Sequence, residues 1–235
     1  MTKNTHKELM STIKSLRTEK GFSQEQTASA IGVSRPTYTA IETGKQKLDI
    51  EEAKKLAVFL GIDVEDIVYE DVSNLEKYKH MILAYLRAKV SDDGKVTKTK
   101  LAKLLYLADF AWYYDHMKSM SGMRYRRLQY GPVPDMFFRA LAELEDSGKI
   151  VVERKDMEER EMFLISESES NKNDPLEKVS TDEASLIKRI AEKWKDKKTQ
   201  DIVNFTHNQL PYRICRDNEI IPYELITQED SDLVY

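Results

Sequence analysis

Between residues 6 and 20, Leu9, Ile13 and Leu16 recur at helical spacing with lysines and an arginine between them. That pattern predicts an amphipathic helix closed by Gly21. Ser23-Gln24-Glu25-Gln26 has capping-box spacing and predicts a short second helix with Ala28 and Ile31 facing inward. Gly32-Val33-Ser34 predicts a tight turn, with Ser34 as the next N-cap and Pro36 in the first turn of a third helix ending near Thr43-Gly44. Helix, short turn, helix is the helix-turn-helix arrangement. Ile50 to Leu60 and Val64 to Val68 add two more helical patterns around Gly61, completing five helices in a small unit.

Residues 69–78 predict a short connection. Leu75, Tyr78, Ile82, Tyr85, Leu86 and Val90 then outline another amphipathic helix, and Ser91-Asp92-Asp93-Gly94 a turn. Residues 98–116 form the most apolar helical pattern, with Leu101, Leu104, Leu105, Ala108 and Trp112 on one broad face. Tyr125 to Tyr130 alternates as an extended segment, and Gly131-Pro132-Val133-Pro134 excludes a helix. Asp135 opens a helix that stops at Ser147-Gly148. Lys149–Glu153 and Glu161–Ile165 read as a hairpin around a charged turn. Residues 167–179 predict a mobile polar loop, Ser180-Thr181-Asp182-Glu183 a capping box opening a helix to Lys195, and 199–208 a last helix. The fold class is mostly α: a five-helix first unit (1–70), a linker (71–77), a helical α+β unit with a small hairpin (78–215), and an acidic tail (216–235).

The chain of 235 residues is 40% hydrophobic and 33% charged, and no apolar run reaches membrane-spanning length. A polar N-terminus without a leader pattern and the single cysteine, Cys215, lead us to expect a cytoplasmic protein. The net charge of −4 is unevenly placed. Residues 1–48 hold eight Lys/Arg against four Asp/Glu, whereas 49–71 hold eight acids against two lysines. Residues 216–235 hold six acids against one arginine. Only the N-terminal unit therefore suits a polyanion.

Gly21-Phe22-Ser23-Gln24-Glu25, Ile31-Gly32-Val33-Ser34-Arg35, Ile41-Glu42-Thr43-Gly44-Lys45 and Leu60-Gly61-Ile62-Asp63-Val64 occur in order and spacing that resemble the Xre/Cro-type helix-turn-helix domain of phage and bacterial repressors. The resemblance implies binding to operator DNA. Gln24 would meet a phosphate or neighbouring base, and Arg35, Thr37, Thr39 and Ala40 would face the groove. Lys45 and Lys47 would lie along the backbone, adding salt-dependent affinity. Arg35 suits a bidentate pair to guanine. Tyr38 is read either as covering a phosphate or as filling the core. Arg17 and Glu42 match a family ion pair. Pro36 departs from the pattern by removing a backbone donor.

The Leu101–Asp109 stretch, with Ser121-Gly122, Arg126-Arg127-Leu128 and Tyr130-Gly131-Pro132-Val133-Pro134, resembles the Panacea domain of SocA-like antitoxins. That resemblance implies neutralisation of a toxin encoded next door, by direct binding or delivery to a protease. Tyrosines supply rigid amphipathic contact area, so Tyr106, Tyr113, Tyr114, Tyr125 and Arg126 are candidate toxin contacts, the alternative for each tyrosine being the core. Arg126 and Arg127 are alternatively expected to pair with Asp109, and Tyr130 to fix the turn before Gly131.

Catalytic chemistry is not indicated. His6, His80, His116 and His207 are scattered, Cys215 lacks a positioned base, and Glu158-Glu159 sits in the hairpin turn. No metal and no cofactor are expected. The reading is a non-enzymatic antitoxin that also represses its own operon as a homodimer; the alternative is a phage-type repressor whose second unit oligomerises or senses a signal.

Overall fold

The computed structural model describes residues 2–62, 64, 67, 74–134, 136–157 and 160–235. Several expectations lie outside that set: the side chain of His6, the connection at 69–73, the helix start at Asp135 and the turn at Glu158-Glu159. Of the fifth helical pattern, Val64 and Ile67 are described, both helical, and Ile67 is buried in the core. The chain divides into two compact units, 1–73 and 74–235.

The first unit contains α1 (Thr2–Glu19), α2 (Gln24–Ile31), α3 (Arg35–Glu42) and α4 (Ile50–Leu60). Local chemistry sets its boundaries. Ser23 accepts from the Gln26 amide while the Gln26 side chain reaches back, as expected, and Asp49 and Glu52 repeat the device at α4. Ser34 caps α3. Leu9, Met10, Ile13, Ala28, Ile31, Tyr38, Ile41, Leu56 and Leu60 bury together as the core.

The second unit contains α5 (Leu75–Arg87), β1 (Val96–Thr97), α6 (Lys98–His116), β2 (Tyr125–Leu128), β3 (Gly131–Pro134), α7 (Phe137–Asp146), β4 (Ile150–Met157), β5 (Arg160–Glu167), α8 (Thr181–Trp194), α9 (Thr199–Asn208) and α10 (Leu210–Ile214). β4 and β5 form the expected hairpin, with β1 added antiparallel to β5. β2 and β3 make a separate ribbon with Tyr125 opposite Pro134 and Leu128 opposite Gly131. α6 is the central element. It is buried all round from Lys100 to Ala111, which marks an enclosed helix rather than a one-faced one.

Four expectations are corrected. Residues 75–77 belong to α5, capped by Asn74, rather than to a linker. Residues 167–179 are tied down: Arg87 pairs with Glu167 and donates to the carbonyls of Asn171 and Asp174, each at 2.8 Å. α10 follows α9 directly, because Pro211 sits in its first turn, where a missing amide costs nothing. Residues 216–235 are no tail. Ile221, Ile226 and Val234 are buried in the core, the segment forms 3-10 turns at Tyr223–Gln228 and Ser231–Leu233, and Ile220 bridges Arg126.

Candidate functional site

In the first unit, α3 divides into two faces. Tyr38, Ile41 and Glu42 are buried, whereas Arg35 and Thr43 are exposed and Thr39 half-exposed. Arg35, Thr39 and Thr43 stand four residues apart, so they form one outward stripe. The two threonine hydroxyls bond back along the helix, Thr39 donating to the Arg35 carbonyl at 2.9 Å and Thr43 to that of Thr39 at 2.7 Å. Thr43 was missed in the sequence, although its spacing from Arg35 and Thr39 is a usable signal. Lys45 and Lys47 are exposed immediately beyond the helix. Thr37 is half-buried, its hydroxyl 2.8 Å from that of Ser34 at the cap.

A buried carboxylate holds this face in place. Glu42 accepts from Arg17 Nε at 2.6 Å, Gln24 Nε2 at 2.7 Å and the Tyr38 hydroxyl at 3.2 Å. Burial pushes its pKa up, but the bonds from Arg17 and Gln24 outweigh that and hold it below the ordinary range. Burial and the neighbouring Glu42 push Tyr38 well up. Of the two readings of Tyr38 the core one holds and the one over a phosphate is corrected: its ring and hydroxyl face inward. Gln24 is half-buried, bridging Glu42 and the Thr39 hydroxyl (3.3 Å), which ties the start of α2 to the middle of α3.

In the second unit the expected aromatic surface is mostly interior. Tyr106 and Tyr125 are fully buried, so both are corrected from partner contacts to core. Their rings meet edge-on at 5.4 Å, and Phe110 lies 4.2 Å from Tyr106 and 4.5 Å from Tyr223. Tyr223, in the segment expected to be a tail, closes the cluster by stacking on Tyr113 at 5.5 Å and donating to the Met123 carbonyl at 2.6 Å. Tyr113 and Tyr114 are half-buried against the core, and Arg126, on β2, is half-exposed and donates to the Asn218 carbonyl.

Asp109 is fully buried. It accepts from the Ser121 amide at 2.6 Å, the Ser121 hydroxyl at 2.5 Å and the Tyr125 hydroxyl at 2.7 Å. Burial outweighs these bonds and pushes its pKa up to about 6. Among the described residues it has no arginine partner; Arg127 pairs instead with Asp217. Lys103, one turn and a half earlier on α6, is buried and donates to the Pro132 carbonyl at 3.0 Å. Desolvation brings its ammonium down to about 7. A Cβ on Gly131 would stand 2.5 Å from Lys103 Cε, and Gly131 has φ +94°, so glycine alone fits there.

Cys215 is buried and its thiol is pushed up by burial, with Glu219 adding to the effect, so the flanking arginines do not activate it. His116 stacks on Trp112 at 3.8 Å, away from Asp109. Among the described residues no group of three or more His, Cys, Asp or Glu could hold a metal ion, and no helix is long and apolar enough to cross a membrane.

Comparisons with known proteins divide along the same line. Residues 13–67 match the helix-turn-helix family model, and residues 101–211 match the model described as antitoxin SocA-like, Panacea domain. The chain is 40% identical over 73 residues to the cryptic phage CTXphi transcriptional repressor RstR of Vibrio cholerae, which is 31% of this chain and 66% of that protein, just under two thirds. It is 42% identical over 66 residues to the uncharacterized HTH-type transcriptional regulator YqaF of Bacillus subtilis (strain 168), covering 28% of this chain and 86% of that one. A further HTH-type regulator, MJ0272 of Methanocaldococcus jannaschii, is 43% identical over 60 residues, 25% of this chain and 91% of its own length. No solved structure matches the chain. The matched families are regulatory rather than enzymatic in kind.

Proposed function

From a chain that belongs to the helix-turn-helix regulators and carries a SocA-like Panacea domain, we propose an antitoxin that represses its own operon through the first unit and neutralises a toxin by direct binding through the second. The observation that carries this reading is the joining of the two. A recognition helix with an outward Arg35–Thr39–Thr43 stripe is followed, on the same chain, by a Panacea domain. Arg35 and Thr39 read base edges, Thr37 and Thr43 flank them, Lys45 and Lys47 follow the phosphates, and Gln24 sets the spacing of α2 and α3. The working unit is a cytoplasmic homodimer whose paired heads match operator half-sites. Tyr113, Tyr114 and Arg126 remain candidate toxin contacts, and the chain works without a cofactor or catalytic step.

Co-expression tests the reading. The product of the adjacent reading frame is lethal alone, harmless beside this chain, and co-purifies with it. The full chain carrying Arg35→Ala still protects cells while losing repression. If protection disappears with Arg35→Ala, transcriptional silencing is the mechanism. Protection at strongly substoichiometric amounts without a complex would make the second unit an enzyme. The likeness to the phage repressor of V. cholerae favours one rival, a repressor without a toxin, for which no neighbour is lethal.

On operator DNA, Arg35→Ala is expected to weaken specific binding by about 1–3 kcal/mol. Lys45→Ala weakens binding on every sequence and flattens the salt dependence. Fluorescence anisotropy at several salt concentrations separates the two; equal losses on operator and random DNA for Arg35→Ala would remove it from base readout.

A further inference from the structure

Beside the β2–β3 turn opens a cleft of about 600 Å³, walled by Arg127, Leu128, Gln129, His207, Tyr212 and Asn218. Arg127 is fixed within it. Its Nε donates to the Tyr212 carbonyl at 3.1 Å, and its guanidinium lies 4.6 Å over the Tyr212 ring. The Tyr212 hydroxyl in turn donates to the Leu128 carbonyl at 2.8 Å, and the His207 ring stacks on Tyr212 at 4.4 Å. A planar cation held along one edge and over one face loses little freedom when an anion binds it.

The remaining side of Arg127 is taken by Asp217, whose side chain is 88% exposed. An ion pair in contact with water contributes little and exchanges readily for another carboxylate. The surroundings favour an anion. Burial, with Lys103 and Arg127 pressing in the same direction, lowers the hold of the His207 ring on a proton, and among the described residues its buried Nε2 has no hydrogen-bond partner. Of the β2 arginines, Arg127 is the one that lines the cleft, its neighbour Arg126 lying on the other face of the ribbon. Next to this cation the turn presents apolar surface: Tyr130 is 69% exposed and Leu128 37% exposed. An immobilised arginine beside an exposed aromatic is the composition of an interface hot spot.

We propose that this cleft seats an acidic segment of the toxin: a carboxylate of the toxin takes the place of Asp217 on Arg127, and a neighbouring apolar side chain packs on Leu128 and Tyr130. The assignment rests on the antitoxin reading above, and it makes Asp217 an internal competitor of the partner. Removing that competitor should therefore strengthen binding, an effect that a purely structural role for the Arg127–Asp217 pair does not produce.

The test is isothermal titration of the full chain with the product of the adjacent reading frame. Tyr130→Ala should weaken the complex tenfold or more, and Asp217→Asn should tighten it threefold or more. Both variants should melt as the wild type does, because both side chains are exposed. Phe138→Ala, exposed on α7, should stay within twofold. If the complex forms but Asp217→Asn leaves it unchanged or weaker, the exchange is wrong; if Tyr130→Ala stays within twofold, the location is wrong. Self-association of the chain that Tyr130→Ala abolishes would assign the cleft to a second copy and overturn the proposal. If the wild type forms no complex at all, the antitoxin reading itself fails.

Discussion

Replacing Arg17 by methionine should remove most of the stability of the first unit, about 3–5 kcal/mol. The lost bond matters less than what is left behind. Glu42 would remain a buried carboxylate whose charged partner is gone, with only Gln24 and Tyr38 to solvate it. For a unit this small, the loss corresponds to a fall in melting temperature on the order of 15 °C or more. DNA binding should disappear with it, since the carboxylate links Gln24 to the end of α3. Calorimetry of the full chain should show the transition of the first unit moving and that of the second staying. The double variant Arg17→Met/Glu42→Met should recover much of the loss, because removing both charges leaves no buried ion. A single variant that melts like the wild type would mean that water reaches Glu42 in solution.

Asp109→Ala should be the most damaging single change in the second unit. It strips the acceptor from the Ser121 amide and the Tyr125 hydroxyl, both buried, at about 1–3 kcal/mol for each orphaned donor. Asp109→Asn should be far milder, because its carbonyl still accepts from the amide while its NH2 can donate to the two hydroxyls. The two forms differ in pH dependence. The carboxyl of Asp109 titrates at about 6 in the fold against an ordinary 3.8. The folded state therefore holds the proton more tightly. The stabilisation is complete below 3.8 and is lost as the pH rises through about 6, a decline of roughly 3 kcal/mol. Denaturant titrations between pH 4 and 7 should show this decline in the wild type and not in Asp109→Asn. An equal decline in both would place the proton elsewhere. Glu42 has the opposite sign: its contribution is present above the ordinary carboxylate range and fades as the pH drops through its lowered value.

What the sequence reveals is what neighbouring residues decide among themselves. Ser23, Ser34 and Ser180 cap the helices expected of them because a cap is settled within four positions. The same holds for the β4–β5 hairpin, whose partners lie close along the chain. The outward stripe of α3 is legible for a related reason, since one helical period separates its faces. α6 is another matter. Lys100, Lys103 and Asp109 are all buried, satisfied by the Lys197 and Pro132 carbonyls and by Ser121 with Tyr125. Nothing local announces a partner 97 residues away. Tyr106 and Tyr125 fall to the core for the same reason, because Tyr223 joins their cluster from a stretch whose acids mask the isolated Ile221, Ile226 and Val234. The motif that carries the Panacea resemblance turns out to be largely internal wiring: Lys103 with Pro132, Asp109 with Ser121, and Gly131 clearing the way for the lysine. Such a motif identifies a fold better than it identifies a contact surface.

Cys215 is the one sulfhydryl in the sequence, and it is packed inside the second unit. A thiol-selective reagent can reach it only during moments when that unit loosens. Alkylation rates in the unmodified chain, followed by mass, would thus time the opening of the Panacea body by itself, and slower labelling once a toxin is seated would report how firmly the bound protein braces it.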